Sequence, residues 1–133
     1  MLRYMLDTNI CIYVIRDHPA EVRERFNRAV GELCISTITL GELLYGAEKS
    51  QRVSENRRVA QRFAAQLDVL PFSAEAAQHY GEIRAELVRT GRACDIHDML
   101  IGAHARSEGL IVVTNSTREF ERMPGLRVEN WVG

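Results

Sequence analysis

Lysine is nearly missing from this 133-residue chain: Lys49 is the single example, and the other strongly basic residues are all arginine. The formal net charge is −1, so no global positive field gathers nucleic acid around the molecule. Arginine keeps a narrower option open, because its planar fork suits bidentate phosphate contacts, although a merely solvated arginine surface fits the composition equally well. Cysteine is scarce too. Cys11, Cys34 and Cys94 are odd in number and show no C-x-x-C spacing, which excludes a disulfide framework and a cysteine zinc site. No apolar run approaches membrane-spanning length, and Arg3, Asp7 and Asn9 interrupt the opening residues too early for a signal-peptide core. The expectation is a soluble cytoplasmic protein of a reducing compartment. Also missing are the nucleophile elbow G-x-S-x-G, the phosphate loop G-x-x-x-x-G-K and the dinucleotide fingerprint G-x-G-x-x-G. His18, His79, His97 and His104 have no partner at metal-ligand spacing and read as structural or surface residues.

What is present is material for one compact domain, 46% hydrophobic over residues 1–133. Strand-like and helix-like segments alternate, the pattern of a parallel sheet covered by helices in an α/β fold. The expected order is a strand at Leu2–Leu6, a helix from about Asn9, a helix opened by Pro19 with Val22, Phe26 and Val30 on one face, and a strand LCISTIT. Thr39 and Glu42 have capping-box spacing and are expected to open the next helix, TLGELLYGAEKS. A polar, basic stretch over 51–60 then runs into a helix RFAAQL, followed by a short strand DVLPF. Ser73 caps a long helix that stops at Gly91; DIHDMLIGAHARSEG forms another, closed by Gly109. LIVVT reads as a strand buried on both faces, and the tail REFERMPGLRVENW holds a short helix and a last strand, LRVEN.

Four places carry acids or polar residues with two readings each. Asp7 ends the first strand, where ligands sit in open α/β sheets, yet Asp-Thr-Asn is also good helix-capping chemistry. Glu42 points away from the apolar stripe of Leu40, Leu43, Leu44 and Ala47, and the capping box alone would account for it. Asp98 lies on a helix apolar on nearly every side, so its carboxylate must be paired, hydrogen-bonded, metal-bound or used as a cap. Asn115, Ser116 and Glu119 follow the apolar strand LIVVT, a site position and equally an ordinary strand-to-helix turn.

Together, MLDTN, TLGELLYGAEKS, DIHDMLIGAHARSEGLIVVTN and TREFERMPGLRVENW, in this order, closely resemble the PIN-domain ribonucleases, and among them the VapC toxins. The resemblance spans the whole chain. It implies a three-layer α/β/α sandwich with a parallel central sheet, and an acid cluster holding Mg²⁺ or Mn²⁺ for RNA phosphodiester hydrolysis. By position, Asp7 and Asp98 would bind metal, Glu42 would complete the cluster, and Glu119 matches a fourth acid. Asn115 stands where many relatives carry aspartate; it and Ser116 would contact substrate. Oxygen ligands suit a hard divalent cation, which also explains the missing histidine base.

The resemblance further implies an endoribonuclease toxin that halts translation by cutting RNA, with the anticodon loop of initiator tRNA the favoured substrate. It implies neutralisation by a VapB antitoxin, a homodimer, and operator DNA contacted only through the antitoxin. Arg16, Arg52, Arg57, Arg58, Arg92 and Arg118 are candidates to hold RNA around an acidic site. Leu44, Tyr45 and Phe63 could line a groove for an antitoxin segment, with plain core packing as their other reading. The alternative function is a catalytically inactive PIN module that binds RNA or antitoxin. A haloacid-dehalogenase-type phosphatase fails because Asn9 stands where that chemistry needs a second aspartate.

Overall fold

A computed structural model describes residues 1–132. Five parallel strands form one sheet, β1 (Tyr4–Leu6), β2 (Leu33–Ser36), β3 (Asp68–Leu70), β4 (Ile111–Val113) and β5 (Arg127–Glu129), in the order β3-β2-β1-β4-β5. The chain winds outward from β1 through β2 to β3, then returns to lay β4 against the other side of β1, pairing Tyr4 with Ile111 and Leu6 with Val113. The order therefore reverses between β1 and β4. In a parallel sheet, the crevice beyond the carboxyl ends of two such strands is where ligands bind.

The central strands alternate between two cores. Tyr4, Leu6, Leu33, Ile35 and Val113 enter one apolar cluster, while Met5, Cys34 and Val112 enter the other. The two-residue period of a strand sends successive side chains to opposite faces, and helices cover both faces, so every β1 and β2 residue is buried. The first cluster takes its helical share from α1 (Thr8–Arg16), α2 (Ala20–Arg28) and α4 (Val53–Ala64), through Ile10, Val14, Val22, Phe26 and Phe63. The second takes it from α5 (Ala74–Arg89), α6 (Ile96–Glu108) and α7 (Thr117–Glu121), through Ile83, Leu87, Ile101 and Phe120. α3 (Thr37–Glu48) crosses between them, with Leu43 in the first cluster and Ile38 against the second. This is the helix-covered parallel sheet expected from the alternating pattern, and the three-layer sandwich that the resemblance implies.

Several local expectations change. β1 starts at Tyr4 rather than Leu2, and β2 ends at Ser36 instead of running through LCISTIT. The reason is Ser36, whose side chain accepts from Ile38 N at 3.0 Å and opens α3 two residues before the anticipated start. The Thr39–Glu42 capping box therefore does not form: Thr39 is buried inside the helix, and Glu42 makes a different bond, described below. Val30 falls beyond α2 and is exposed, leaving Val22 and Phe26 as the buried face. Residues 53–60 are helical as part of α4; they stay polar because only Ala60 and Phe63 of that helix are buried. Ser73 caps α5 through Ala76 N, and Gly109 closes α6 in the left-handed region, at φ 69°, both as read from sequence.

Candidate active site

Asp7 leaves β1 at its carboxyl end and becomes the N-cap of α1, its Oδ1 accepting from Ile10 N at 2.9 Å. The capping reading is thus correct, but capping uses only one oxygen. Oδ2 accepts from Thr114 Oγ1 at 2.5 Å, and Thr114 stands at the end of β4, across the strand reversal. Thr114 Oγ1 itself accepts from Ser116 N at 2.8 Å, so the hydroxyl proton is committed to Asp7. Asp7 is 3% exposed, and burial pushes its carboxyl up to about 6 despite these bonds, with the Glu42 charge adding to the rise.

Asp98 enters from the first turn of α6. The cap of that helix is Asp95, which accepts from His97 N and Asp98 N, so the capping reading of Asp98 falls away. Its carboxyl is pushed up to about 8, by burial first, then by a hydrogen bond to Glu119 and the negative charges of Asp95, Glu119 and Asp7. Glu119 comes from α7, which follows β4. Three of the four acids picked out in the sequence therefore feel one another around the end of β1 and β4. Glu42 reaches the same region from α3, half-buried, accepting from Thr8 Oγ1 at 2.5 Å, with His97 Nδ1 3.7 Å from its other oxygen.

None of the ion pairs among the described residues involves Asp7, Asp98 or Glu119. Asp7, Asp98 and Glu119 are crowded, partly desolvated and uncompensated by any basic side chain, an arrangement that favours a cation. Their donors are all carboxylate oxygens, the chemistry of Mg²⁺ or Mn²⁺ rather than zinc. Among the described residues no group of three or more His, Cys, Asp and Glu side chains forms a ready-made metal cage.

The other candidates separate. Asn115 turns its amide nitrogen onto Tyr13 OH at 2.9 Å, leaving its Oδ1 buried without a protein partner. Ser116 precedes α7 and its side chain makes no capping bond. Arg52 and Arg57 are paired with Glu55 and Glu48. Arg16 lines a groove of about 1140 Å³ that runs from Thr8, Glu42 and His97 along α1, α3 and α4, past Tyr45. Tyr45 is 65% exposed there, whereas Phe63 is core, stacked on Phe26 with centroids 5.8 Å apart. Arg58 and Arg62 border a shallow concavity of about 410 Å³ on α4. Arg118 directly precedes Glu119, and Arg92 belongs to the segment that Cys94 ties to α7 through Glu119 O at 3.4 Å. Sequence reasoning singled out neither Thr8 nor Thr114 as a partner of the acids; it read His97 as structural or surface, and His97 is exposed, with its ring beside Glu42. The signal available was position alone: both threonines abut strand ends, and His97 directly precedes Asp98.

The chain matches known proteins along nearly its whole length. The PIN domain family matches residues 4–126. The chain is 58% identical to the tRNA(fMet)-specific endonuclease VapC of Shigella flexneri over 98% of its own length and 99% of that protein. It is 52% identical to the Salmonella typhimurium protein of the same name, again over 98% and 99%. Among solved structures it is similar to DNA-bound VapBC from Salmonella typhimurium, with a TM-score of 0.95 and 52% identity over 99% of this chain and 100% of that one. It is also similar to VapBC2 from Rickettsia felis bound to a promoter fragment, at a TM-score of 0.92 and 38% identity over 98% and 100%.

Proposed function

Because this chain belongs to the PIN-domain family, among its VapC ribonuclease toxins, we propose that residues 1–133 form one domain that cuts initiator tRNA in the anticodon loop with a divalent metal. The observation that supports this reading is the convergence of Asp7, Glu42, Asp98 and Glu119 on the strand reversal, with no basic side chain bound to Asp7, Asp98 or Glu119.

Asp7 and Asp98 would hold Mg²⁺, or Mn²⁺, as a small number of carboxylates commonly does when water and substrate phosphate complete the shell. When bound, such an ion supplies Lewis acidity toward water and toward the scissile phosphate. The protein's own residues fix the geometry. Thr114 holds Asp7 Oδ2, Ile10 N holds Oδ1, and the helix-capping role keeps the carboxylate at the mouth of the crevice. Glu119 and Asp98 share a hydrogen bond that a cation would replace with attraction to both. Glu42, half-buried at the head of the groove, orients the attacking water. Asn115 and Ser116 contact the RNA near the end of β4. Arg16, which lines the groove with Glu42, would hold flanking phosphates together with Arg92 and Arg118, a role for which Arg52 and Arg57 are less available because each is already paired.

Two of the similar structures are VapBC assemblies bound to DNA. By extension, a VapB-type antitoxin covers the acids of this chain and lays a segment along the groove past Tyr45, the toxin pairs as a homodimer, and operator DNA is met through the antitoxin. No helix among the described residues is long and apolar enough to cross a membrane; the toxin is assigned to the cytoplasm, where its substrate is.

The deciding experiment incubates antitoxin-free protein and its Asp7→Ala variant with total tRNA, in Mg²⁺ or EDTA, and maps cuts by sequencing. Cleavage confined to the initiator tRNA anticodon loop, lost with EDTA and with Asp7→Ala, is expected. Equal cleavage in EDTA would overturn the metal reading, cuts elsewhere the substrate, and no cleavage of any RNA would make the chain a binding module.

A further inference from the structure

Glu42 needs something to hold it, because it stands on a different helix from every other acid of the site and no backbone group binds its side chain. The group that does is Thr8. This residue opens α1, immediately after Asp7, and its Oγ1 donates to Glu42 Oε1 at 2.5 Å across 34 positions of sequence. Thr8 has no capping duty to explain the hydroxyl, since Asp7 already caps α1 and accepts from Ile10 N. Thr8 lines the head of the groove, is only half-buried and belongs to neither core cluster, so packing does not require a threonine there. The first residue of α1 is thus linked to α3 through one polar bond at the acid itself.

We propose that Thr8 is a positioning residue for Glu42: its hydroxyl fixes Oε1 and leaves Oε2, 3.7 Å from His97 Nδ1, to orient the attacking water. This rests on the assignment of Glu42 to the active site. A threonine hydroxyl is well suited, because its β-branched side chain has few rotamers and, at the first turn of a helix, its oxygen is carried in a fixed direction. The same carboxylate left unheld would sample several χ rotamers on the exposed face of α3, and misplacement of a catalytic group by about 1 Å is enough to cost on the order of 100-fold in rate. A brace between α1 and α3 serving only stability is the competing account, and the two differ in what they predict.

The test compares Thr8→Val, Thr8→Ser, Glu42→Gln and the Thr8→Val/Glu42→Gln double variant in single-turnover cleavage of purified initiator tRNA with Mg²⁺, beside thermal unfolding of each. Thr8→Val keeps the shape and removes the donor; a loss of about 10- to 100-fold in cleavage is expected, typical for residues that orient a catalytic ligand. Thr8→Ser restores the donor and is expected within about threefold of wild type. In the Glu42→Gln background, Thr8→Val should cost little more, since a residue acting through Glu42 has nothing left to act on. If Thr8→Val cleaves like wild type while Glu42→Gln does not, the positioning role is wrong and the site stands. If the Thr8→Val loss is the same in both backgrounds, or follows a lowered unfolding temperature that Thr8→Ser shares, Thr8 is a structural brace. If Glu42→Gln itself cleaves normally, the assignment of Glu42 fails first.

Discussion

Thr114 donates its hydroxyl to Asp7 across 107 residues of sequence, at 2.5 Å, joining the ends of β1 and β4 at the place where the strand order reverses. The bond makes a buried carboxylate tolerable without neutralising it. It also links the geometry of the two loops that carry the acids, so that a change at Asp7 is felt in the segment leading to Glu119.

Asp7→Asn separates charge from shape. Asparagine caps helices as well as aspartate does, and its amide donates to Thr114 Oγ1 while its oxygen accepts from Ile10 N. Cleavage should fall by at least about 100-fold, with the unfolding temperature unchanged or raised. Asp7→Ala should lose cleavage equally and about 1 kcal/mol of stability with the cap. Circular-dichroism melting beside the cleavage assay reads both; an Asp7→Asn variant that still cuts RNA at the wild-type rate would remove Asp7 from the site.

The acids also set a pH dependence for the metal-free protein. Asp7 and Asp98 hold protons in the folded state up to about 6 and about 8, from an ordinary 3.8. The unfolded chain releases these protons near its ordinary value, so stability is greatest at acid pH and declines as pH rises from about 4 toward 8. For buried Asp7 the shift corresponds to about 3 kcal/mol. Melting in EDTA from pH 5 to 8.5 should show this decline. Mg²⁺ should oppose it, with a stabilisation that grows toward pH 8.

Asp98→Asn should flatten that curve. An amide keeps the size of the group and removes the charge that Glu119, Asp95 and Asp7 oppose. At pH 8 in EDTA the variant should melt higher than wild type by a few degrees, on the order expected for ~1 kcal/mol in a domain this size, and should no longer gain from Mg²⁺. A lower melting temperature would mean that Asp98 is structural.

His104 acts in the opposite direction. It is fully buried in α6 with neither ring nitrogen bonded to protein, edge-on to Phe72 at 5.4 Å, and burial lowers its pKa. Protonation begins first in the unfolded chain, near 6.5, so stability is lost as pH falls below that value. His104→Leu should lessen the loss between pH 6.5 and 5 without altering cleavage at pH 8. Parallel loss curves for the two proteins would show that His104 carries no such burden.

Gly102 tests the packing of α6 against the turn that follows α7. A Cβ there would meet Met123 Sδ at 2.4 Å and Leu126 Cδ2 at 3.2 Å. Alanine is the better helix former by about 1 kcal/mol, yet Gly102→Ala should destabilise by about 1 kcal/mol net, and Gly102→Val by more, because the thioether must move. Urea unfolding gives the sign directly.

The fold was largely legible because its signals are local. LIVVT is apolar throughout, which only a strand buried on both faces tolerates, and Gly109 and Ser73 mark helix ends by chemistry that does not depend on tertiary context. The misreadings arose where two local signals competed. Ser36 and Thr39 are both plausible caps, and only packing against the sheet decided for Ser36. The start of α4 is not legible because its buried residues, Ala60 and Phe63, both lie in its second half, and residues 51–60 read from sequence only as a polar, basic stretch. At the candidate site, Asp7, Glu42, Asp98 and Glu119 each keep two readings on residue type and position, and the resemblance to the PIN-domain ribonucleases is what joins them. The hydroxyls of Thr8 and Thr114 could not be picked out, because their partners lie far away in sequence, and neither could the place of His97 beside Glu42.

The return of β4 to the side of β1 also makes the acid cluster a late product of the chain. Asp7 leaves the ribosome early, yet Thr114 and Glu119 follow only after both crossover helices have been made, and until then β1 has an unpaired edge where β4 belongs. The acid cluster therefore cannot assemble on β1 alone; it waits for the segment that carries Glu119.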